Sequence, residues 1–142
     1  MAAIGLDAEV ASEAVRAETL ALAAADRGHW PAVTARAVAP FAELAELALP
    51  LLRPGGVLVA WKRGDPADPD ALGGELAAAR RALDAIDPGG RIEIEPALAP
   101  GSEPGGGLVD LAEHQLVIIE RGQGSIAREW PRDPAARRRS PW

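Results

Sequence analysis

Hydrophobic and polar positions alternate along this chain in a way that predicts strands separated by helices. Residues 57–61 form a continuous apolar run between turn signals, which is typical of a strand buried on both faces. Residues 114–120 form a second strong strand, and residues 91–95 alternate strictly, as a half-buried strand does. A shorter apolar run at 32–35 predicts the end of one more buried strand.

Helical patterns lie between these runs. Residues 12–25 are alanine-rich, with Ser12 as the expected N-cap and Gly28 as the stop. Apolar residues at helical spacing follow Pro40, and this spacing predicts that Glu43 and Glu46 face solvent. Pro50 should end this helix, before a turn at 53–56.

A third helix is predicted from a cap at Asp70 to about Ala85, with one apolar face and a turn at 87–90 after it. That face consists of Leu72, Leu76, Ala79 and Leu83. A loop without a helix joins the last two strands, so they should pair as an antiparallel hairpin. The fold class is therefore α/β, with parallel strands and a carboxyl-terminal antiparallel hairpin. We expect one domain over 1–124, followed by an extended basic tail over 125–142.

Composition limits the function classes. The chain has 142 residues, enough for one domain, and it has no cysteine, which excludes disulfide scaffolds and cysteine-ligated metal sites. No apolar run is long enough for a membrane span, and the amino terminus does not resemble a secretory signal. These features favour a cytoplasmic protein without membrane contact.

Charge is unevenly distributed along the chain. The net charge is −6, yet residues 121–142 carry six arginines and only two acidic residues. A basic tail on an acidic body can bind phosphates, but a run of charges is more often only a solvated terminus.

Candidate catalytic groups are scarce. His29 and His114 are not at metal-ligand spacing, and the two glutamates at 93 and 95 share a strand face that suits solvent better than acid–base chemistry. We therefore predict no metal site and no catalytic side chain. Arg36 and Lys62 each follow an apolar strand, which places both at the carboxyl-terminal rim of a parallel sheet. Two cations there either bind an anionic ligand or simply extend into solvent.

Several blocks, in order, resemble the ribosomal RNA small subunit methyltransferase G family (glucose-inhibited division protein B). The central block is Val-Thr-Ala-Arg-Ala-Val-Ala-Pro at 33–40, followed by the Leu-Ala-Glu-Leu-Ala-Leu-Pro-Leu-Leu-Arg-Pro-Gly-Gly segment at 44–56. Shorter blocks of the same family pattern occur at 16–18, 60–62, 114–119, 130–132 and 138–142. The resemblance covers about residues 14–142.

The resemblance implies a Rossmann-like class I methyltransferase that transfers a methyl group from S-adenosylmethionine to N7 of a guanine in 16S ribosomal RNA. It implies that Ala17 and Glu18 lie beside the adenosine part of the cofactor and that Arg36 lines the cofactor pocket. Charge alone suggests RNA-phosphate contacts for Lys62, Arg128, Arg132, Arg137, Arg138 and Arg139. The expected partner is the small ribosomal subunit.

The chain also departs from the family pattern. The first strands and the Gly-rich cofactor loop have no counterpart here, so the chain resembles the carboxyl-terminal half of such an enzyme. The missing first strand would lie beside 32–35, and its absence predicts self-association or docking of a complementing amino-terminal fragment. Three hypotheses follow: a methyltransferase read from an incomplete chain, a non-catalytic remnant or RNA-binding module of the same fold, and an unrelated small α/β binding protein.

Overall fold

The structure is a computed structural model that describes residues 10–64, 72–97 and 114–142. The elements run in the order α1 (Ala17–Leu22), β1 (Trp30–Arg36), α2 (Phe41–Ala48), β2 (Leu52–Arg63), α3 (Gly73–Ile86), β3 (Arg91–Pro96), β4 (His114–Glu120) and α4 (Pro134–Arg139).

The four strands form one mixed sheet in the order β1-β2-β4-β3. β1 pairs with β2 in parallel, with Val33 opposite Leu58 and Arg36 opposite Trp61. β4 is antiparallel to both of its neighbours, and it lies between β2 and β3. The predicted α/β class, with parallel strands and a carboxyl-terminal antiparallel hairpin, is confirmed.

The core lies between the sheet and helices α2 and α3. Every residue of α2 except Glu43 is buried, because α3 and the carboxyl-terminal segment cover the sides of α2 that the sheet leaves open. The sheet contributes alternate residues of β2 and β4, with Leu58 and Ile119 fully buried. The predicted apolar face of α3 is confirmed in its second half, where Ala79 and Leu83 are buried.

Several predicted boundaries are wrong. α1 spans only six residues, Arg16 occupies its N-cap position without a side-chain bond, and Ser12 lies exposed outside the helix. Alanine-rich composition favours a helix, but short helices depend on tertiary packing, and only Ala21 of α1 is buried. The predicted turn at 53–56 belongs to β2, where Gly55 has a φ of 71°.

The burial of two strands also differs from prediction. In β1 only Ala35 is buried, and in β3 only Ile92 is even partly buried. Both are edge strands among the described residues, so each has a neighbour on one side only. The predicted cap Asp70 and most of the predicted loop at 96–107 lie outside the described residues.

The sequence predicted an extended basic tail, but the tail is not extended throughout. It contains α4, in which Pro134 occupies the first turn and the side chain of Asp133 accepts a hydrogen bond from the Ala135 backbone N–H at 2.8 Å. The tail packs against the body through Arg132, Arg137 and Trp142.

Candidate functional site

The carboxyl-terminal ends of β1 and β2 form the rim at which ligands bind in open α/β sheets. Arg36 ends β1, is exposed, and has no ion pair with any described residue. The next residue, Ala37, has a φ of 54°, a left-handed conformation that is uncommon for a residue with a side chain. The loop then presents Val38, which is 64% exposed. This loop and Arg36 are the most accessible part of the rim.

Lys62, the penultimate residue of β2, lies at the same rim but is bound within the protein. Its ammonium group pairs with Glu75, and it lies 5.9 Å from the centre of the Phe41 ring. It also lies 3.4 Å from the Ala39 carbonyl oxygen, which accepts a hydrogen bond from it. Only 17% of the side chain is exposed. The structure thus places Arg36 and Lys62 on one rim, as predicted, and of the two only Arg36 has no ion-pair partner among the described residues.

Glu75 explains how helix α2 begins. Pro40 occupies the N-cap position of α2 and supplies no side-chain acceptor, so the first amides of the helix need another partner. The carboxylate of Glu75, from the first turn of α3, accepts the Phe41 backbone N–H at 2.6 Å. One carboxylate therefore binds both Lys62, at the rim, and the first amide of α2. Nothing in the pattern of residues 72–86 indicates this role.

Ala17 and Glu18, the residues that the resemblance assigns to the cofactor, open helix α1. The Glu18 carboxylate accepts a hydrogen bond from the Arg137 guanidinium, and this contact holds the pKa of Glu18 below its ordinary value. Arg137 also donates through Nε to Glu43, at 3.2 Å. Burial opposes the charged form of Arg137, but its two carboxylate partners outweigh burial and raise its pKa.

The helical position of Glu46 predicted that its side chain faces solvent. This prediction is wrong, because Glu46 is completely buried. Its carboxylate accepts hydrogen bonds from the Arg132 backbone N–H at 2.7 Å and from the Arg132 guanidinium at 2.7 to 3.2 Å. A further bond comes from the Trp142 indole at 2.8 Å. The partners lie in the tail, 86 and 96 residues away, so the local pattern of α2 could not reveal them.

Two tryptophan rings pack against the Arg132 side of this ion pair. Trp130 and Trp142 stack with their ring centres 5.6 Å apart. The Arg132 guanidinium lies 4.5 Å from the Trp142 ring centre and 5.5 Å from that of Trp130. The tail is therefore anchored by an ion pair that is partly shielded from water.

The arginines of the tail fall into two groups. Arg132 and Arg137 have internal carboxylate partners, whereas Arg128, Arg138 and Arg139 are exposed and have no ion pair with a described residue. The prediction that tail arginines bind RNA phosphates stays a prediction, and the exposed group is the part available for it.

Two of the cavities lined by described residues lie beside the tail. One, of about 180 Å³, is mostly apolar and lies among α2, α3 and the tail. Its lining comprises Pro40, Ala42, Glu43, Glu75, Ala78, Arg132, Arg137, Pro141 and Trp142. The second, of about 320 Å³, lies between the end of α1 and residues 126–128. Ala17, Glu18 and Arg36 line neither cavity.

No group of three or more histidine or acidic side chains in the described ranges is arranged to hold a metal ion. None of the helices within those ranges is long and apolar enough to cross a membrane.

Curated proteins similar to this chain are named ribosomal RNA small subunit methyltransferase G. The Deinococcus radiodurans protein is 44% identical over 132 residues, which is 92% of this chain and 45% of that protein. The Chloroflexus aggregans protein is 48% identical over 90 residues, 63% of this chain and 34% of its own length. The Staphylococcus carnosus protein is 34% identical over 117 residues, 82% of this chain and 42% of its own. The chain thus spans less than half the length of these relatives.

Two other comparisons add little. No protein-family model matches the chain. A solved structure described as a DNA modification methylase from Thermus thermophilus superposes with a TM-score of 0.39 and 20% identity, over 89% of this chain and 57% of that one. A likeness this low does not indicate a shared function.

The mixed sheet and the named relatives define the class of this protein as a methyltransferase-like α/β domain. Within that class, over the length that it shares with them, the chain belongs to the ribosomal RNA small subunit methyltransferase G family.

Proposed function

We propose that this chain is the carboxyl-terminal part of a ribosomal RNA methyltransferase that transfers a methyl group from S-adenosylmethionine to N7 of a guanine in 16S ribosomal RNA. The observation that carries the proposal is the 44% identity to a protein of that name over 132 residues, nearly the whole of this chain. The proposed substrate places the protein with the small ribosomal subunit in the cytoplasm.

The proposed chemistry asks little of the protein's own side chains. Guanine N7 has a lone pair and is itself the nucleophile, so the protein contributes by binding and orienting the two reactants. This is consistent with the scarcity of catalytic groups in the sequence. We assign Arg36 to the cofactor side, since it is exposed at the rim and no described residue forms an ion pair with it.

The described residues do not by themselves fit S-adenosylmethionine. Arg137 already occupies the Glu18 carboxylate, and no cavity described above is lined by Ala17, Glu18 or Arg36. The Gly-rich loop, whose backbone amides would contact the cofactor, has no counterpart in the sequence. We therefore expect this chain alone to bind the cofactor weakly or not at all.

We assign the RNA contacts to the exposed cations of the tail, Arg128, Arg138 and Arg139. Each phosphate contact releases counterions, so these residues should give RNA binding a salt dependence with little sequence preference. Lys62, Arg132 and Arg137 would have to leave internal partners to join them.

Complementation tests this proposal. The amino-terminal part of the Deinococcus radiodurans relative would be joined to this chain, and radiolabelled methyl transfer to small ribosomal subunits would be measured. We expect activity in the chimera, none in either part alone, and a loss in the chimera carrying Arg36→Ala. Arg53→Ala, an exposed arginine at the opposite end of β2, is the matched control. A folded chimera without transfer to RNA would contradict the proposal.

The second candidate is a non-catalytic remnant or RNA-binding module of the same fold. The three exposed tail arginines favour it, because they can bind RNA phosphates without any cofactor. The nucleotide sequence upstream of Met1 separates the candidates, since an in-frame Gly-rich motif supports the enzyme and a stop codon supports the remnant. RNA binding by the chimera without methyl transfer would also support the remnant.

A further inference from the structure

Helix α1 has few contacts of its own with the rest of the domain. It spans six residues, has no side-chain N-cap, and buries only Ala21. Leu22, at its end, is 61% exposed. A helix this short gains little stability from its own hydrogen bonds, so other contacts must fix its position.

The tail supplies those contacts at both ends of the α1 region. At the start of α1, Arg137 of α4 binds Glu18 and also reaches Glu43 of α2, so that one guanidinium joins three helices. Arg137 is only 8% exposed. It donates a third bond to the Arg132 backbone carbonyl at 2.9 Å, which connects it to the pair formed by Arg132 and Glu46.

Beyond the end of α1, Arg27 of the body binds the tail. Its guanidinium donates to the backbone carbonyls of Ile126, Ala127 and Trp130 at 2.8 to 3.1 Å. The same side chain donates to the Ala21 carbonyl at 2.9 Å, within α1 itself. Burial lowers the pKa of Arg27, as expected for a guanidinium that binds neutral carbonyls and has no carboxylate partner among the residues that the structure describes.

We infer that the tail is a clasp that positions α1 on the domain and that Arg137 is its principal positioning residue. The clasp consists of Arg27, residues 126–130, Arg132 and Arg137. α1 carries Ala17 and Glu18, which the resemblance assigns to the cofactor. The importance of the clasp for catalysis therefore rests on the proposed function. The tail thus has two roles on different arginines, with Arg132 and Arg137 holding the domain together and Arg128, Arg138 and Arg139 left for RNA.

Cysteine labelling tests the clasp without any cofactor. The chain has no cysteine, so Ala21→Cys gives a single thiol at the only buried position of α1. Its labelling rate by a thiol reagent measures how often α1 leaves the domain. Ala82→Cys, buried in α3, reports opening of the core in a parallel sample.

We expect Arg137→Ala to speed labelling of the thiol at position 21 about tenfold while that at position 82 is unchanged. Arg138→Ala removes the same charge from an exposed neighbour and should change neither rate. Arg137→Lys should restore part of the protection, since it keeps one charged donor. Equal labelling at position 21 in Arg137→Ala and Arg138→Ala would overturn the inference.

A second variant covers the case in which Arg137→Ala opens the whole domain. Glu18→Gln weakens the contact to α1 but leaves Arg137 paired with Glu43. It should expose position 21 and leave position 82 protected, and an unchanged rate at position 21 would overturn the inference. In the active chimera, Arg137→Ala should raise the KM for S-adenosylmethionine more than it lowers kcat, whereas Arg138→Ala should weaken RNA binding and reduce its salt dependence without changing that KM. A chimera without activity counts against the proposed function, but the labelling result stands independently.

Discussion

The Arg132 guanidinium lies against the fully buried carboxylate of Glu46, with Nη2 2.7 Å from Oε2. The Arg132 backbone N–H and the Trp142 indole also donate to this carboxylate, so each of its oxygens has at least two donors. Burying a charge is costly unless it is paired and hydrogen-bonded. The core helix α2 therefore requires the tail: without it, a charged group would remain unpaired in the interior.

This pair predicts that Glu46→Ala strongly destabilises the protein. The substitution leaves the Arg132 guanidinium and the Trp142 indole without their acceptor. Removing one partner of a buried pair costs about 3–5 kcal/mol of unfolding free energy. Urea unfolding followed by tryptophan fluorescence measures the loss, since Trp130 and Trp142 lie beside the site.

Glu93→Ala is the control for this measurement. Glu93 is exposed on the edge strand β3, so we expect a change within about 0.5 kcal/mol. Deleting residues 130–142 should be at least as harmful as Glu46→Ala, because it removes both donors. A truncated chain with unchanged stability would show that the tail does not anchor the core in solution.

A second prediction concerns Glu75. Glu75→Ala removes the acceptor of the Phe41 N–H and the partner of Lys62, so the first turn of α2 should fray and unfolding free energy should fall by about 1 kcal/mol, as for loss of a helix cap. Amide exchange at Phe41 reports this locally. Lys62→Met removes the ion pair but keeps the acceptor, so Phe41 should stay protected. Equal exchange at Phe41 in both variants would contradict the assigned role.

The sequence predicted most of the sheet because its central strands are encoded locally. The bounds of β4 coincide with the predicted 114–120, and β2 contains the predicted run 57–61. In both strands the apolar residues are consecutive, and such runs in short segments between turns leave little alternative to a buried strand. The antiparallel pairing of β3 with β4 was predicted because the sequence between them shows no helical pattern.

The contacts of the site were not predictable in the same way. Glu46 has an ordinary surface pattern on α2, and only the return of the tail, with Arg132, makes its burial favourable. The charged tail was predicted to be extended, because repeated arginines indicate a solvated segment. Long-range pairs such as Glu18 with Arg137 have no local sequence signal. The placement of Arg36 and Lys62 on one rim was predicted, because it depends only on where two parallel strands end.

The Glu18 pair predicts a pH dependence. Arg137 lowers the pKa of Glu18 from its ordinary value of 4.5. A depressed folded-state pKa means that the unfolded chain binds the proton more readily, so the stabilisation is complete above that ordinary value and is lost as pH falls through the folded value. The stability difference between the wild type and Glu18→Gln should therefore be constant near neutral pH and shrink below about pH 4.5. Thermal unfolding of both proteins from neutral to acidic pH measures it. A difference that is independent of pH would contradict the pair.

The two edges of the sheet differ in their protection against association. β3 carries Arg91, Glu93 and Glu95 and ends at Pro96, and charges and proline on an edge strand discourage further pairing. β1 has Pro31 near its start and Arg36 at its end, with only apolar residues and Thr34 between them. Trp30, at the start of β1, is 47% exposed. No other described strand lies beside the outer edge of β1.

This asymmetry predicts that the 142-residue chain self-associates through β1. Unpaired backbone groups along a mostly apolar edge are a template for another strand, so sedimentation velocity should show concentration-dependent dimers or larger species. Thr34→Lys places a charge at an exposed position in the middle of this edge and should shift the population toward monomer without loss of stability. Glu93→Lys, on an edge that is already charged, is the matched control and should leave the proportions of monomer and dimer unchanged.

An amino-terminal fragment of a relative that supplies the neighbouring strand should compete with self-association and replace the dimer by a one-to-one complex. A monomer at all concentrations, equally for wild type and Thr34→Lys, would show that residues outside the described ranges cover this edge.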